Sequence, residues 1–227
     1  MLKIKRIIFL FIIMLPLALP AQEVGSDPVD LRKVGKAIKK KRSPYYYPVL
    51  YQRYINLDTT LTSTDFRYLY YGYFFNDGYA PYGTPPLRDS LISYLEREDL
   101  MQAEIAVAAR IAGDLLRESP FRLRETFIAA VSYEMAGKAA LSRAYYLFFE
   151  KQVDAIMASG DGLSEETAFL VLYIPDEYEI IEVLGFQHTG QQVLTVNGYD
   201  MISLAPNPYG VEAFYFDVRK MLEKGFN

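Results

Sequence analysis

A dense run of aromatic residues constrains this fold more than any other feature of the chain. The segment RYLYYGYFFNDGYAPYG, residues 67–83, holds eight aromatic rings in seventeen positions. Spacings of three and four residues place Phe66 and Leu69 on one face of a helix predicted from Asp65 to Phe75, and a second apolar face lies beside it. A helix that is apolar on both sides is normally packed between other elements. The pattern therefore predicts a core helix, in which Gly72 would allow close approach of a neighbouring backbone.

A ligand platform is the alternative explanation for these rings. Tyrosine outnumbers phenylalanine in the segment, and each buried hydroxyl needs a hydrogen-bond partner. Tyrosines in predicted loops could instead expose a ring face on which a sugar would stack. The candidate ligand-binding residues are Tyr79 and Tyr82, followed by Tyr45 and Tyr46.

The first residues have the parts of a secretory signal peptide. Three basic residues within the first six form a charged leader, and an apolar run follows from Ile7 to Leu15. Small residues near Ala21 suit cleavage after this position, so 1–21 is assigned to the signal peptide. The rival is an uncleaved membrane anchor, but the apolar run is short for a span of about 20 residues and prolines follow it. We therefore expect an exported protein without a transmembrane segment in its mature chain.

Charge and cysteine content narrow the classes of function. The chain has 24 Lys and Arg against 28 Asp and Glu, and removal of the three leader cations leaves 21 against 28. A nucleic-acid partner needs a basic footprint, so this balance argues against one. The chain has no cysteine, so its core alone must stabilise the fold. The basic run Lys39–Arg42 indicates a solvated helix end, with contact to an anionic envelope surface as the alternative.

Cap and turn signals predict a mostly helical region over 22–162. Asp27 and Pro28 would begin the first helix and Pro48 the second. Four more helices are predicted after the aromatic one, at Thr84–Glu98, Asp99–Ser119, Ser119–Ala136 and Lys138–Ala158. Small, aromatic and turn residues in the last two resemble a tetratricopeptide-type hairpin at Ala130, Tyr133, Gly137 and Tyr146. The resemblance implies a helical stack with a concave face for a partner.

The composition changes near residue 162, and 163–227 is predicted to form a small antiparallel sheet. Strands are expected at Ala168–Ile174, Tyr178–Phe186, Gln191–Val196, Asp200–Leu204 and Val211–Val218. The second of these shows no clean alternation, and its β-branched content decides for a strand. His188–Gly190 is predicted as a turn and Asn197-Gly198 as a two-residue hairpin. The expected class is α+β, with antiparallel helical hairpins and the sheet sharing one core.

Four segments of the chain resemble one known family: YYYPVLYQRY, DTTLTSTDFRYLYYGYFF, GYAPYG and FYFDV. Their pattern is similar to domain of unknown function 4919, which comprises uncharacterised exported proteins of Bacteroidetes. The resemblance covers most of the mature chain. It implies a location in the periplasm or at the cell exterior of a Gram-negative bacterium, and it transfers no catalytic residue.

The residue types offer little support for catalysis. His188 is the only histidine, so a zinc centre with several histidines is ruled out, and no nucleophile elbow is present. Carboxylate pairs remain as a means of hydrolysis. The candidates are Asp176, Glu177, Glu179 and Glu182 in one stretch and Glu165 and Glu166 in another. Solvated surface charge explains them more simply, so we predict no catalytic residue, no metal site and no cofactor.

Two functions from different classes remain. The first is a non-catalytic envelope protein that binds a protein partner through the helical stack or a glycan through loop tyrosines. The second is a carboxylate-dependent hydrolase of polysaccharide or peptidoglycan, and a purely structural role in self-association is a third. A hydrolase requires two acids that converge in an aromatic-walled pocket, at least one of them hard to ionise. A binding protein requires scattered, solvated acids and an exposed aromatic or concave patch.

Overall fold

A computed structural model describes residues 28–97 and 99–225, and the predicted signal peptide, 1–21, lies outside the described residues. Over these ranges the chain forms nine α-helices and four β-strands. The helices are α1 (Leu31–Lys39), α2 (Tyr47–Ile55), α3 (Ser63–Gly72), α4 (Leu87–Leu95), α5 (Gln102–Glu118), α6 (Leu123–Met135), α7 (Ala139–Met157), α8 (Ile174–Val183) and α9 (Arg219–Gly225). The strands are β1 (Phe169–Leu170), β2 (His188–Leu194), β3 (Tyr199–Leu204) and β4 (Ala213–Asp217). The predicted α+β class is confirmed.

Capping side chains determine where two of the N-terminal helices begin. Asp30 caps α1 by accepting the backbone N–H groups of Arg32 and Lys33 at 2.9 and 3.1 Å. At α3, Thr62 and Asp65 form a capping box, in which each side chain accepts the other residue's backbone N–H at 3.1 Å. The predicted cap region before the aromatic helix is therefore confirmed.

The aromatic helix α3 lies inside the main core. Phe66, Leu69 and Tyr71 are fully buried, and α3 packs against α1, α2 and α7. This position confirms the prediction of a core helix. A Cβ atom at Gly72 would lie 2.9 Å from a ring carbon of Tyr47. The close neighbour of the glycine is therefore a side chain, whereas we expected a backbone.

Small residues allow the middle helices to pack closely. Each of α4, α5 and α6 packs on the next helix along the chain. Ala108 and Ala112 on α5 are buried with Ala129 and Ala130 on α6 in a second apolar cluster. Short side chains at such contacts bring two helix backbones near one another. The tetratricopeptide resemblance of this region stays a prediction.

The sheet is mixed and has the strand order β1-β4-β3-β2. The pairs β2–β3 and β3–β4 are antiparallel, as expected. β1 instead pairs with β4 in parallel, with Phe169 opposite Phe216, because a long crossover that contains α8 and the β2–β3 hairpin separates them. Gly198 has φ 84° and donates its N–H to the Thr195 carbonyl at 3.0 Å. The predicted hairpin is therefore confirmed, but its loop has three residues, 196–198, because Thr195 donates its N–H to the Tyr199 carbonyl at 2.8 Å.

Two predictions in the C-terminal third were wrong. The segment Tyr178–Phe186 is not a strand, because most of it belongs to the helix α8. Pro175 lies in the first turn of α8 together with Asp176 and Glu177, and these start signals outweigh the β-branched content. The turn predicted at His188–Gly190 is the beginning of β2.

The main core draws residues from the helical part and from the C-terminal third. Phe66 on α3 and Phe148 on α7 belong to the same cluster as Phe169, Ile180 and Phe216. The sheet and α8 are thus packed on the aromatic helices. In the part of the chain that the structure describes, no helix is both long and apolar enough to cross a membrane.

Candidate functional site

A groove of about 670 Å³ runs along α1 and the loop that follows it. This volume is in the range of about 300 to 1,000 Å³ that small-molecule sites occupy. Two tyrosines, Tyr45 and Tyr68, lie in its wall, and Asp30 is the acidic residue of the lining. Five cationic residues complete the charged lining: Arg32, Lys33, Lys36, Lys40 and Arg42. We call this surface the basic groove.

The basic groove concentrates positive charge in an acidic protein. Residues 28–42 contain seven Lys and Arg and one acidic residue, Asp30. Residues 43–227 contain 14 Lys and Arg against 25 Asp and Glu. A segment with a net charge of +6 is therefore attached to a remainder with a net charge of −11. Such segregation attracts a small anionic ligand to one place on the surface.

The acidic residue of the groove is already engaged by the fold. Backbone N–H groups of Lys33 and Arg32 lower the pKa of Asp30, so the carboxylate stays ionised as the helix cap. Its nearest guanidinium atom is Nε of Arg32, at 3.9 Å. The side chains of Lys33, Lys36, Lys40 and Arg42 make no ion pair within the described residues. These four cations are available to a ligand.

Two stacked tyrosines form the aromatic part of the groove. The rings of Tyr45 and Tyr68 lie 3.8 Å apart between centroids and are stacked nearly parallel, with an angle of 2° between their planes. Tyr45 donates its backbone N–H to Ser43 Oγ at 3.1 Å, which fixes the turn before α2. Tyr68 projects from α3 on the side away from the buried Phe66. Of the predicted ligand-binding residues, Tyr45 is the one that lines this groove.

The other three predicted tyrosines lie elsewhere. Tyr79 is 2% exposed and donates its hydroxyl to the Leu172 carbonyl at 2.6 Å, so it belongs to the core. Burial raises the pKa of Tyr79. Tyr82 is 50% exposed and packs against Gly225 at the C-terminal end of α9. Tyr46 is the half-buried N-cap of α2. The four tyrosines therefore do not form one site.

A second cluster joins one predicted carboxylate candidate, Glu177, to a carboxylate that was not predicted, Asp200. Glu177 on α8 is fully buried, and Asp200 on β3 is 5% exposed. The amide nitrogen of Gln192 on β2 lies 2.5 Å from Asp200 Oδ2 and 3.4 Å from Glu177 Oε2. The Tyr178 hydroxyl donates to Gln192 Oε1 at 2.5 Å. We call Glu177, Asp200 and Gln192 the acid pair with its bridging amide.

Both carboxyls of this pair are hard to ionise. Burial is the main cause that raises the pKa of Glu177, and the nearby Asp200 carboxyl adds to it. Burial also raises the pKa of Asp200, although Gln192 and Glu177 lower it as hydrogen-bond partners. The proximity of these two buried carboxyls favours a state in which one of them is protonated. Sequence reasoning identified Glu177 as a candidate but missed its partners, because only the hairpin register brings them together.

The remaining acidic candidates are occupied singly by other groups. Glu179 pairs with Arg124 at 2.5 Å, and Asp176 accepts the Leu123 backbone N–H at 3.1 Å deep in the core. Burial raises the pKa of Asp176. Glu165 accepts from Asn197 at 2.7 Å on the surface. Within 28–97 and 99–225, no group of three or more acidic or histidine side chains could hold a metal ion.

The fold and the basic groove together define the class of this protein. The chain is an α+β protein with an aromatic helical core, a small mixed sheet and a basic surface groove. The family model described as domain of unknown function (DUF4919) matches residues 32–226, so the chain belongs to that family. No match was found among curated proteins or among solved structures.

Proposed function

We propose that this protein is an exported, non-catalytic envelope protein that binds a short acidic oligosaccharide in the basic groove. The observation that carries the proposal is the placement of unpaired cations beside the Tyr45–Tyr68 stack in one concave surface. Lysine and arginine side chains would bind carboxylate or sulfate groups of the sugar. The tyrosine rings would contact the apolar face of a sugar ring.

The charge distribution favours a short ligand over a long polyanion. Outside the groove, residues 43–227 have 25 acidic against 14 basic side chains. A long polyanion that extended beyond the groove would meet this negative surface and be repelled. A flat anionic membrane would fit the basic groove poorly, because a flat surface cannot enter a concave one. A short oligosaccharide places its charges within reach of the lysines alone.

The hydrolase alternative would use the acid pair. Glu177 and Asp200 converge and are hard to ionise, as that alternative requires. Glu177 is, however, fully buried, and Asp200 is 5% exposed, so a polymer cannot reach both carboxyls in this conformation. A glycosidase needs its two acids on either side of an accessible glycosidic bond. The basic groove is accessible, and binding is therefore the better supported function.

The predicted signal peptide supports the same proposal. The leader residues have the pattern of a signal peptide, and membership of the DUF4919 family agrees with the family resemblance on which the envelope assignment rests. We place the protein in the periplasm or at the exterior of a Gram-negative bacterium of the Bacteroidetes. Fractionation of cells that carry an epitope-tagged copy tests this location directly.

Calorimetric titration of the purified protein tests the binding function. The probes are an oligogalacturonate, a sulfated chondroitin oligosaccharide and a neutral cello-oligosaccharide of equal length. We expect binding of the acidic sugars only, with an affinity that falls between 0.05 and 0.5 M NaCl as charges are screened. The double variant Lys36→Glu/Lys40→Glu should lower the affinity at least tenfold.

A matched charge reversal controls for net charge. Lys138→Glu/Lys224→Glu changes two exposed lysines outside the groove by the same total charge. We expect it to bind acidic sugar like the wild type. Equal loss in both double variants would contradict a site in the groove. Binding of single-stranded DNA at least as tight as that of acidic sugar would overturn the choice of ligand class, as would equal binding of the neutral sugar.

A further inference from the structure

We propose that the acid pair is a pH-sensitive latch, in which one proton shared by Glu177 and Asp200 holds the β2–β3 hairpin against α8. The proposal concerns a part of the molecule separate from the basic groove and does not depend on sugar binding. It rests on three structural elements that meet at one point, where Glu177 and Asp200 are buried and Gln192 is exposed.

The geometry joins these elements through side chains. Glu177 comes from the first turn of α8, Gln192 from β2 and Asp200 from β3. One amide nitrogen contacts both carboxyls, at 2.5 Å and 3.4 Å. The second oxygen of Glu177, Oε1, is buried and has no hydrogen-bond partner among the described residues. A carboxylate in this position would lack the hydrogen bonds that an ionised group needs, whereas a protonated carboxyl donates to Asp200.

The surroundings provide no cation to stabilise a second negative charge. Within the described residues, neither Glu177 nor Asp200 forms an ion pair with Lys or Arg. The titratable groups that face the pair are Asp176 and Tyr178 on α8 and Tyr82 on the loop before α4. His188 at the start of β2 lies behind Tyr178, with their rings 4.9 Å apart between centroids. Apart from His188, the facing groups are tyrosine hydroxyls and the Asp176 carboxyl, none of which carries a positive charge.

The strand β2 is the element that the latch would release. Each of its residues is exposed, whereas alternate residues of β3 are buried. β2 is also an edge strand, and its pairing with β3 shifts register between His188 and Gln192. Little apolar burial therefore holds β2, and elements of this kind open locally at low free energy. Besides the backbone pairing with β3, the Gln192 side chain holds β2 through its contacts with Tyr178, Glu177 and Asp200.

The sign of the pH response follows from the raised pKa values of both acids. A carboxyl with a raised pKa in the folded state contributes its full stability below the unfolded value of about 4. This contribution is lost as pH rises through the folded pKa, when two desolvated like charges face each other. The latch is therefore closed in mild acid and weakened at alkaline pH.

Hydrogen exchange of the intact protein between pH 5 and pH 9 tests the latch. After correction for intrinsic rates, the protection of the Val193 amide, which faces Met201 in the β2–β3 ladder, relative to the amides of α7 should fall at least tenfold across this range in the wild type. Glu177→Gln removes the titrating proton and keeps the shape, so its relative protection should stay constant. Glu182→Gln, one turn and a half further along α8, should respond to pH like the wild type.

The outcomes separate the latch from a passive buried pair. A wild-type protection ratio that does not change with pH would overturn the proposal, as would a pH response that persists in Glu177→Gln. Parallel loss of protection in α7 would indicate global unfolding and would also contradict a local latch. Asp200→Asn provides the same comparison from the β3 side if Glu177→Gln fails to fold.

Discussion

The tyrosines of the core and the tyrosines of the groove are the same residue type in two different physical situations. In the core, the Tyr71 hydroxyl lies 2.9 Å from the Ala155 carbonyl oxygen and 3.2 Å from that of Leu170. The Tyr79 hydroxyl donates to the Leu172 carbonyl at 2.6 Å. In the groove, neither Tyr45 nor Tyr68 has a hydroxyl partner within the described residues. Hydroxyl partners, more than ring density, distinguish the structural tyrosines from those that a ligand could use.

The hydroxyl groups of the core tyrosines form hydrogen bonds with buried backbone groups in the C-terminal third. Residues 168–173 are all buried, yet only Phe169–Leu170 belong to a strand. Buried backbone groups outside regular structure need other partners. The Leu172 carbonyl accepts from Tyr79, and the Leu172 N–H points to the Tyr70 hydroxyl at 3.4 Å. The aromatic segment thus provides hydrogen-bond partners for backbone groups of a non-repetitive segment about a hundred residues away. These contacts join the two segments in a chain that has no disulfide.

The largest expected effect comes from removal of a core ring. Phe66→Ala should lower the free energy of unfolding by about 3 to 5 kcal/mol, because the ring is fully buried and contacts Phe121 and Phe148. Tyr68→Ala, two residues further along the same helix, is the matched control. It should cost less than half as much, since Tyr68 is only half-buried. Urea unfolding measures both values, and equal costs would break the distinction between core and groove.

A smaller effect isolates one hydroxyl. Tyr79→Phe should cost about 1 to 3 kcal/mol, because the buried Leu172 carbonyl loses its donor while the ring remains. Tyr82→Phe removes a hydroxyl from a half-exposed ring and should change stability by less than about 0.5 kcal/mol. Thermal and urea unfolding of the two variants gives the comparison. A neutral Tyr79→Phe would mean that the hydroxyl bond does not stabilise the segment 168–173.

Periodicity predicted the core helix well, because both its apolar repeat and its cap lie within one short stretch of sequence. Phe66, Leu69 and Tyr70 repeat at helical spacing, and a hydroxyl-rich cap precedes them. The helix α8 was harder to predict, since its β-branched residues favour a strand and its start signals favour a helix. Tertiary packing of Ile180 and Ile181, both fully buried, decides between the two. Local propensity is a weak guide where such signals conflict.

The candidate sites were less predictable because each joins distant parts of the chain. The basic residues at 39–42 were evident, but nothing local indicates that Tyr68 stacks on Tyr45. Helical spacing predicts the face on which Tyr68 lies, but it does not predict which element packs on that face. The Gln192–Asp200 contact likewise depends on the register of the β2–β3 hairpin, in which Leu194 lies opposite Asp200. Separations of this length leave no periodic signal in the sequence.

The smallest expected effect on stability falls in the groove and completes the comparison. Tyr45→Phe removes a hydroxyl that has no partner within the described residues, so the free energy of unfolding should change by less than about 0.5 kcal/mol. The ring face remains, and the affinity for acidic oligosaccharide should also stay within a factor of two. Tyr45→Ala removes the stacked ring and should lower that affinity about tenfold, which corresponds to about 1.4 kcal/mol. If Tyr45→Phe instead costs as much stability as Tyr79→Phe, Tyr45 belongs with the structural tyrosines, and the groove loses its aromatic contact.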